Sequence, residues 1–232
     1  MFEQLLSSGK PLAFDGVPVF WLDPSDLAVG STALVDRSGM NVTISNPSSL
    51  AVADVGPKAG MKSVYFPGNA VRWLRMPYTQ LPNFLTGDFT IEFWYKPESR
   101  KAGGANIIGQ WRQAAGQGGF LAMLYDNAGL SYNLGSYSEN SGLLAGFGPS
   151  TLQWDHWAVT RNGNLHRVWV NGKIAAETSN STTRAQLAVD WCIGAYYGTG
   201  ANPPQLSAVI LNGWLTDVRM YQACKYKFPF TP

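Results

Sequence analysis

Residues 151–178 read TLQWDHWAVTRNGNLHRVWVNGKIAAET. Trp157 and Val159 alternate with Ala158 and Thr160, the period of two that marks a strand with one buried face. Asn162-Gly163 separates this run from Leu165–Val170, and Asn171-Gly172 separates that run from Lys173–Thr178. Asn and Gly tolerate the positive φ that a tight type I′ hairpin needs. The stretch therefore predicts three antiparallel strands joined by two tight turns. A meander of this kind leaves an apolar face that needs a partner layer, which the rest of the chain must supply.

Upstream, Asp88–Pro97 reads DFTIEFWYKP. Phe89, Ile91, Phe93 and Tyr95 fall on one face, and Thr90, Glu92 and Trp94 on the other. Further strands are expected at Val17–Leu22, Asn41–Ser45, Asn106–Trp111 and Leu143–Phe147. Hairpins are expected from Ser63–Pro67 to Ala70–Met76 around Gly68-Asn69, and from Phe120–Tyr125 to Leu130–Leu134 around Asp126-Asn127-Ala128-Gly129. Downstream come Leu187–Gly194, Leu206–Leu211 and, after a turn at Asn212-Gly213, Trp214–Tyr221. Tyr226–Pro232 reads as an extended tail packed on the body. Roughly thirteen to fifteen short strands with almost no helix make an all-β, antiparallel two-sheet sandwich. Residues 1–16 are an unpatterned leader, broken at Ser7-Ser8-Gly9-Lys10-Pro11 and able to drape over a partner or over its own sandwich. Residues 17–232 are expected to form one domain.

A chain of 232 residues with 45% hydrophobic and 13% aromatic content can build a large core. A net charge of +2 without a basic run excludes nucleic-acid binding through an electrostatic footprint. No apolar run is long enough to insert in a membrane. Met1–Leu6 lacks the basic start and apolar core of a secretory signal. The product is expected in the cytosol where it is made, or in a particle assembled there. Cys192 and Cys224 are too few for a disulfide framework and have no metal spacing. They are read as buried thiols, with a single bridge between them as the alternative.

Four stretches point to one family. Ser63-Val64-Tyr65-Phe66-Pro67-Gly68-Asn69 is followed by Gly87–Pro97, then by Trp154–Arg161 with Val168-Trp169-Val170-Asn171-Gly172. Ile193-Gly194 with Asn212–Arg219 completes the set. In order and spacing these resemble the laminin-G-like branch of the concanavalin A-like lectin and glucanase superfamily, over roughly Val17–Pro232. The closing segment, Asp217-Val218-Arg219 through Ala223, Tyr226, Phe230, Thr231 and Pro232, resembles a variant common in bacteriophage structural proteins. The resemblance implies a jelly roll, carbohydrate or protein binding at its concave face or rim loops, and often no catalysis. It further implies a virion location, as capsid decoration or tail component. Partners would be other virion proteins and host-surface glycans, with further copies of the chain as a homo-oligomer.

The superfamily includes hydrolases. A retaining glycosidase needs two carboxylates about 5–5.5 Å apart, and similar glucanases carry them as Glu-x-Asp-x-x-Glu along one strand. That run is absent. Glu92 is the one acid inside a well-formed strand, and a second acid such as Asp217 would have to come from elsewhere. Glu92 is read as a hydrogen-bonded polar position on the open sheet face, and the chain as a non-enzyme. His156 and His166 are read as ordinary strand residues, since no Gly-x-Ser-x-Gly turn or His-x-x-x-His spacing accompanies them. Many members of the family hold Ca2+ near the rim, and Asp126 and Asn127 are the candidate oxygen ligands. Trp94, Trp157, Trp169 and Trp214 lie in patterned strands and are expected to be packed. Trp111, Tyr137, Tyr196, Tyr197 and Asn202, in or beside loops, are the candidate ligand contacts, because loops on a rigid scaffold often carry binding. Two other readings stay open: a purely structural virion subunit, and a glycan-cleaving enzyme.

Overall fold

The structure is a computed structural model that describes residues 16–83, 86–99, 105–111, 118–125, 129–136, 143–144, 152–181, 183, 187–195 and 210–232. Its larger sheet is built outward from β5 (Phe89–Pro97). On one side β5 pairs with β10 (Asp155–Asn162), followed by β11 (Leu165–Val170) and β12 (Lys173–Ser179). On the other side lies β14 (Asn212–Tyr221), whose first half pairs with β3 (Ser63–Pro67) and whose second half pairs with β1 (Phe20–Leu22). β2 (Val52–Ala53) closes that side. The second sheet runs β4 (Leu74–Met76), β13 (Trp191–Ile193), β6 (Ala105–Trp111), β7 (Gly118–Tyr125), β8 (Gly129–Ser136) and β9 (Leu143–Leu144). All described pairings are antiparallel, as a two-sheet sandwich requires.

The core lies between the sheets. Phe89, Ile91 and Phe93 of β5, Trp157 and Val159 of β10 and Leu215, Val218 and Met220 of β14 face it from one side. Leu74, Met76, Ile108, Phe120, Trp191 and Ile193 meet them from the other. The Phe89 ring stands edge-on to Phe120 at 5.9 Å, and Phe120 lies 5.7 Å from Trp191. Fully burying each such side chain contributes about 1.5–3 kcal/mol. β14 keeps both apolar phases on the core through a bulge at Asp217, whose φ is 53°, where its register against β5 shifts between Thr216 and Arg219.

The central meander forms as expected, with one turn displaced. Asn171 and Gly172 both have positive φ, 49° and 76°, as a type I′ turn demands. The first turn is Gly163-Asn164, because Asn162 pairs with Leu165. Gly163, with φ 60°, takes the leading position as in a type II′ turn.

Three expectations are corrected. Asn212-Gly213 is not a turn but opens β14, paired with Pro67 and Phe66. Ser63–Pro67 and Ala70–Met76 are not a hairpin: β3 pairs with β14 in the large sheet, whereas β4 pairs with β13 in the other. The chain leaves the sheet at Gly68, φ 66°, where a Cβ would overlap the Asn212 side chain. It crosses over held by Trp73 N–H to Ser48 Oγ (3.1 Å) and Arg72 Nη1 to Ser48 O (3.2 Å). Asn41–Ser45 is not a strand either. Side chains accept its amides, Val42 on Asp36 (2.9 Å) and Thr43 on Gln80 (2.7 Å), and only Ser45 bridges a strand residue, Arg75.

Cys192 in β13 and Cys224 after β14 are both buried thiols outside any disulfide, and Cys224 donates to the Tyr226 carbonyl at 3.3 Å. A reductant is therefore expected to leave the melting temperature unchanged, and denatured protein should titrate as two thiols; a drop in melting temperature with dithiothreitol would contradict this assignment.

Candidate functional site

Alternation in β5 turns Thr90, Glu92, Trp94 and Lys96 away from the core. Register places His156, Ala158 and Thr160 of β10 beside them, with Trp169 of β11 opposite Ala158. On the other flank stand Trp214, Thr216, Arg219 and Tyr221 of β14, then Tyr65 of β3. The outer face of an antiparallel sheet is ordinarily polar and wet. Here half of it is covered, because residues 222–232 fold back across it. This is why β5 and β10 are buried on both faces rather than one.

Glu92 is the anchor of that covering strap and is only 2% exposed. Lys225 Nζ donates to its Oε1 at 2.6 Å, and the Tyr226 hydroxyl donates to Oε2. Tyr221 donates to Oε1 at 3.3 Å, His156 Nε2 lies 3.5 Å from Oε2, and Arg219 Nη1 lies 3.9 Å from Oε1. Burial by itself would raise the Glu92 carboxyl; His156 and Lys225 more than offset it and hold the pKa at about 2. Burial, then the Glu92 charge, pushes the Tyr221 and Tyr226 phenols well up, so both remain donors.

Such a carboxylate cannot serve as the acid of a glycosidase, which needs a raised pKa and access to the leaving group. Asp217 is engaged separately, accepting Trp21 Nε1–H at 2.8 Å and pairing with Arg219 Nε at 2.7 Å. Its pKa is raised, chiefly by burial. The open polar position expected for Glu92 is thus corrected to a buried one, because the strap supplies its partners.

The strap is seated by shape and by backbone bonds. Tyr226 and Phe230 stack at 3.5 Å with 5° between planes, and Phe230 stands 5.7 Å from both the His156 and Trp169 rings. Phe230 N–H donates to the Gly172 carbonyl at 3.0 Å. A Cβ at Gly172 would overlap the Phe230 carbonyl oxygen, so the I′ glycine of the meander is also the strap's landing point. Arg167 Nη1 donates to Lys227 O (2.9 Å), and Thr90 Oγ1 accepts from Lys225 N–H (2.8 Å) while donating to Ala223 O (2.8 Å).

Beyond the strap the face is only partly covered: Thr216 is buried and donates to the Lys62 carbonyl at 2.6 Å, while the rings around it keep some exposure. Tyr65, Trp214 and Trp94 stand there half-buried on three adjacent strands. Tyr65 and Trp214 rings are 5.2 Å apart, and the Tyr65 hydroxyl donates to Glu98 at 2.9 Å. Lys96 Nζ lies 5.4 Å over the Trp214 ring, and Lys58 Nζ 5.3 Å over Trp94. Half-exposed indole and phenol rings with a polar rim suit the apolar faces of sugar rings.

The sequence had placed Trp94 and Trp214 among packed residues; the structure puts both on the outer face. Trp94 shares its phase with Glu92 and Lys96, so the alternation already carried that signal. Trp157 and Trp169 are packed, at 5% and 0% exposure. Trp111 ends β6 opposite Gly119 and is 7% exposed, so it is a packed strand residue rather than a free loop ring. Tyr137, Tyr196, Tyr197 and Asn202, and the calcium candidates Asp126 and Asn127, lie outside the described residues. Among the described residues no group of three or more His, Cys, Asp or Glu side chains is gathered to hold a metal. His166 Nε2 meets the Asn180 carbonyl at 3.0 Å, and burial, then Arg161, lowers its pKa.

The Glu92 carboxyl, held near 2 against an ordinary 4.5, stabilises the fold fully above about pH 4.5 and loses that contribution as pH falls toward 2. Glu92→Gln is expected to cost about 3 kcal/mol at pH 7 and to flatten this acid limb in urea melts from pH 7 to 2. An unchanged acid limb in the variant would contradict the anchoring role.

Among curated proteins none matches this chain. Solved structures share the architecture at low identity. The binding domain of Paraclostridial Mosquitocidal Protein 1 matches at TM-score 0.66 and 16% identity, over 89% of this chain and 49% of that one. The binding domain of Botulinum Neurotoxin DC in complex with SialylT matches at TM-score 0.61 and 15% identity, over 90% and 48%. The botulinum neurotoxin serotype D binding domain matches at 0.65 and 13%, over 90% and 49%. The chain spans about half the length of these structures, and at such identities the likeness is one of fold. A family model described as "Concanavalin A-like lectin/glucanases superfamily" matches residues 73–225, from the crossover into β4 through the Glu92 anchor at Lys225. With that match over most of its length and the two-sheet sandwich around it, the chain belongs to the concanavalin A-like lectin/glucanase superfamily.

Proposed function

We propose that the chain is a non-catalytic saccharide-binding module whose platform is the ring band Tyr65, Trp214 and Trp94. The observation that carries this reading is the band itself. Three half-exposed aromatic residues stand on three adjacent strands of one sheet, with Lys58, Lys96 and Glu98 at their rim. Strand backbones hold the rings in place before any ligand arrives, which lowers the ordering cost of binding. A hydrolytic role is disfavoured, because Glu92 is saturated by its partners and closed over by the strap. The sandwich is shared with botulinum neurotoxin type C, whose cell entry depends on interaction with two ganglioside molecules, so the fold is compatible with a glycan-binding protein.

The same proposal places the protein on a virus particle, as capsid decoration or a tail component, with other virion proteins and host-surface glycans as partners. The likeness of the closing segment to bacteriophage structural proteins supports this. Display of many copies would let a weak single-site affinity suffice.

On a glycan array with bead-clustered protein, a defined glycan set is expected to bind, and Trp94→Ala or Trp214→Ala should each lower binding by about tenfold. A chelator should leave platform binding intact. Folded protein that binds nothing on the array would overturn the saccharide reading and leave a purely structural subunit.

A further inference from the structure

The rings of the proposed platform are not bare: each indole has an ammonium over it. Lys58 Nζ lies 5.3 Å from the Trp94 centroid, and Lys96 Nζ 5.4 Å from that of Trp214. Lys58 is exposed and Lys96 half-exposed. Both ammoniums sit on flexible four-carbon stems that can move to the rim without losing their charge. A sugar stacking on either indole must displace the ammonium from the ring face and forfeit the cation–π attraction. A neutral sugar offers the displaced ammonium only hydroxyl acceptors and no opposite charge. A sugar bearing a carboxylate gives it a new partner at the moment it leaves the ring.

The acid nearest the band does not already fill that role. Glu98 accepts the Tyr65 hydroxyl with both carboxylate oxygens, each at 2.9 Å. Lys58 Nζ also donates to the Pro232 backbone oxygen at 2.8 Å, a bond it gives up along with the ring when it turns toward a ligand. Among the described residues the band therefore has two lysine ammoniums at the stacking surface and, in Glu98, an acid held at its Tyr65 end.

Resting on the saccharide-binding reading above, we infer that the platform selects an acidic saccharide, with the carboxylate of a uronic- or sialic-type sugar received by Lys58 and Lys96 while its ring stacks on Trp94 or Trp214. Specificity of this kind is a difference between two affinities, and the guarded rings act against the neutral competitor as much as the ammoniums act for the acidic one.

The test is a glycan array printed twice, one copy with its carboxylates converted to methyl esters, probed with bead-clustered wild-type protein and with the Lys58→Gln/Lys96→Gln double variant. The glycans bound on the untreated copy should be carboxylated. Esterification should lower their binding about tenfold, and the double variant should lose the difference between copies while still melting cooperatively as a folded protein. Binding to the acidic glycans should also weaken as salt is raised from 50 to 300 mM, on the order expected for exposed charge pairs. If esterification changes nothing, or if the double variant keeps the acidic preference, the acidic-sugar assignment is overturned while saccharide binding stands. If neither copy binds folded protein, both fall.

Discussion

The outer face of the large sheet depends on one buried charge. Glu92 sits in the middle of β5, between β10 and β14, where a carboxylate without partners would cost several kcal/mol. Its closest partners are remote in sequence: Lys225 is 133 residues away and Tyr226 is 134. The charge is tolerable only when the closing segment lies across the sheet, so satisfying it fixes the path of residues 222–232. Lys225 and Tyr226 set the register of the strap, and Phe230 then reaches the His156 and Trp169 rings and the Gly172 carbonyl. A strap shifted by one residue would leave the carboxylate without its ammonium and turn the Phe230 ring away from His156 and Trp169.

That arrangement divides the face into two regions with different chemistry. At the strap, His156 and Trp169 of the sheet and Tyr226 and Phe230 of the strap form a closed aromatic layer over the Glu92 cluster. Beyond it, Tyr65, Trp214 and Trp94 keep part of their rings toward solvent, with lysines over the indoles. The two regions share β5, so Glu92 and Trp94, two residues apart on one strand, belong to different regions of one face. The order imposed by the first supports the second: strands clamped from both sides present their rings without rearrangement.

Much of the fold was legible because period-two alternation is a local signal. The meander at 151–178 and the run at 88–97 gave strands β10, β11, β12 and β5 nearly to the residue, and their order with the other motifs gave the superfamily. The crossover at Gly68 was not legible, since Ser63–Pro67 and Leu74–Met76 have the same alternation whether they pair together or join different sheets. The strap was visible as a packed tail, but nothing local says which face it covers. For that reason Glu92 read as an open polar position, and Trp94 and Trp214 read as core. Each of those misreadings comes from a contact made across more than a hundred residues, or from assigning an indole to the core by its bulk rather than by its phase. Trp111 fails for the opposite reason: it was judged by the glycines after it, although its own strand already buries it.

The central claim is that the ring band beyond the strap, and not the loops, holds a saccharide. The most direct measurement is a crystal structure of the protein with an array-selected oligosaccharide bound. The account predicts a sugar ring stacked on Trp94 or Trp214, with Lys58 or Lys96 moved off the indole toward the ligand and the strap in place over Glu92. A sugar held instead by the loops that carry Tyr137, Tyr196, Tyr197 and Asn202, with both lysines still over their rings, would contradict it.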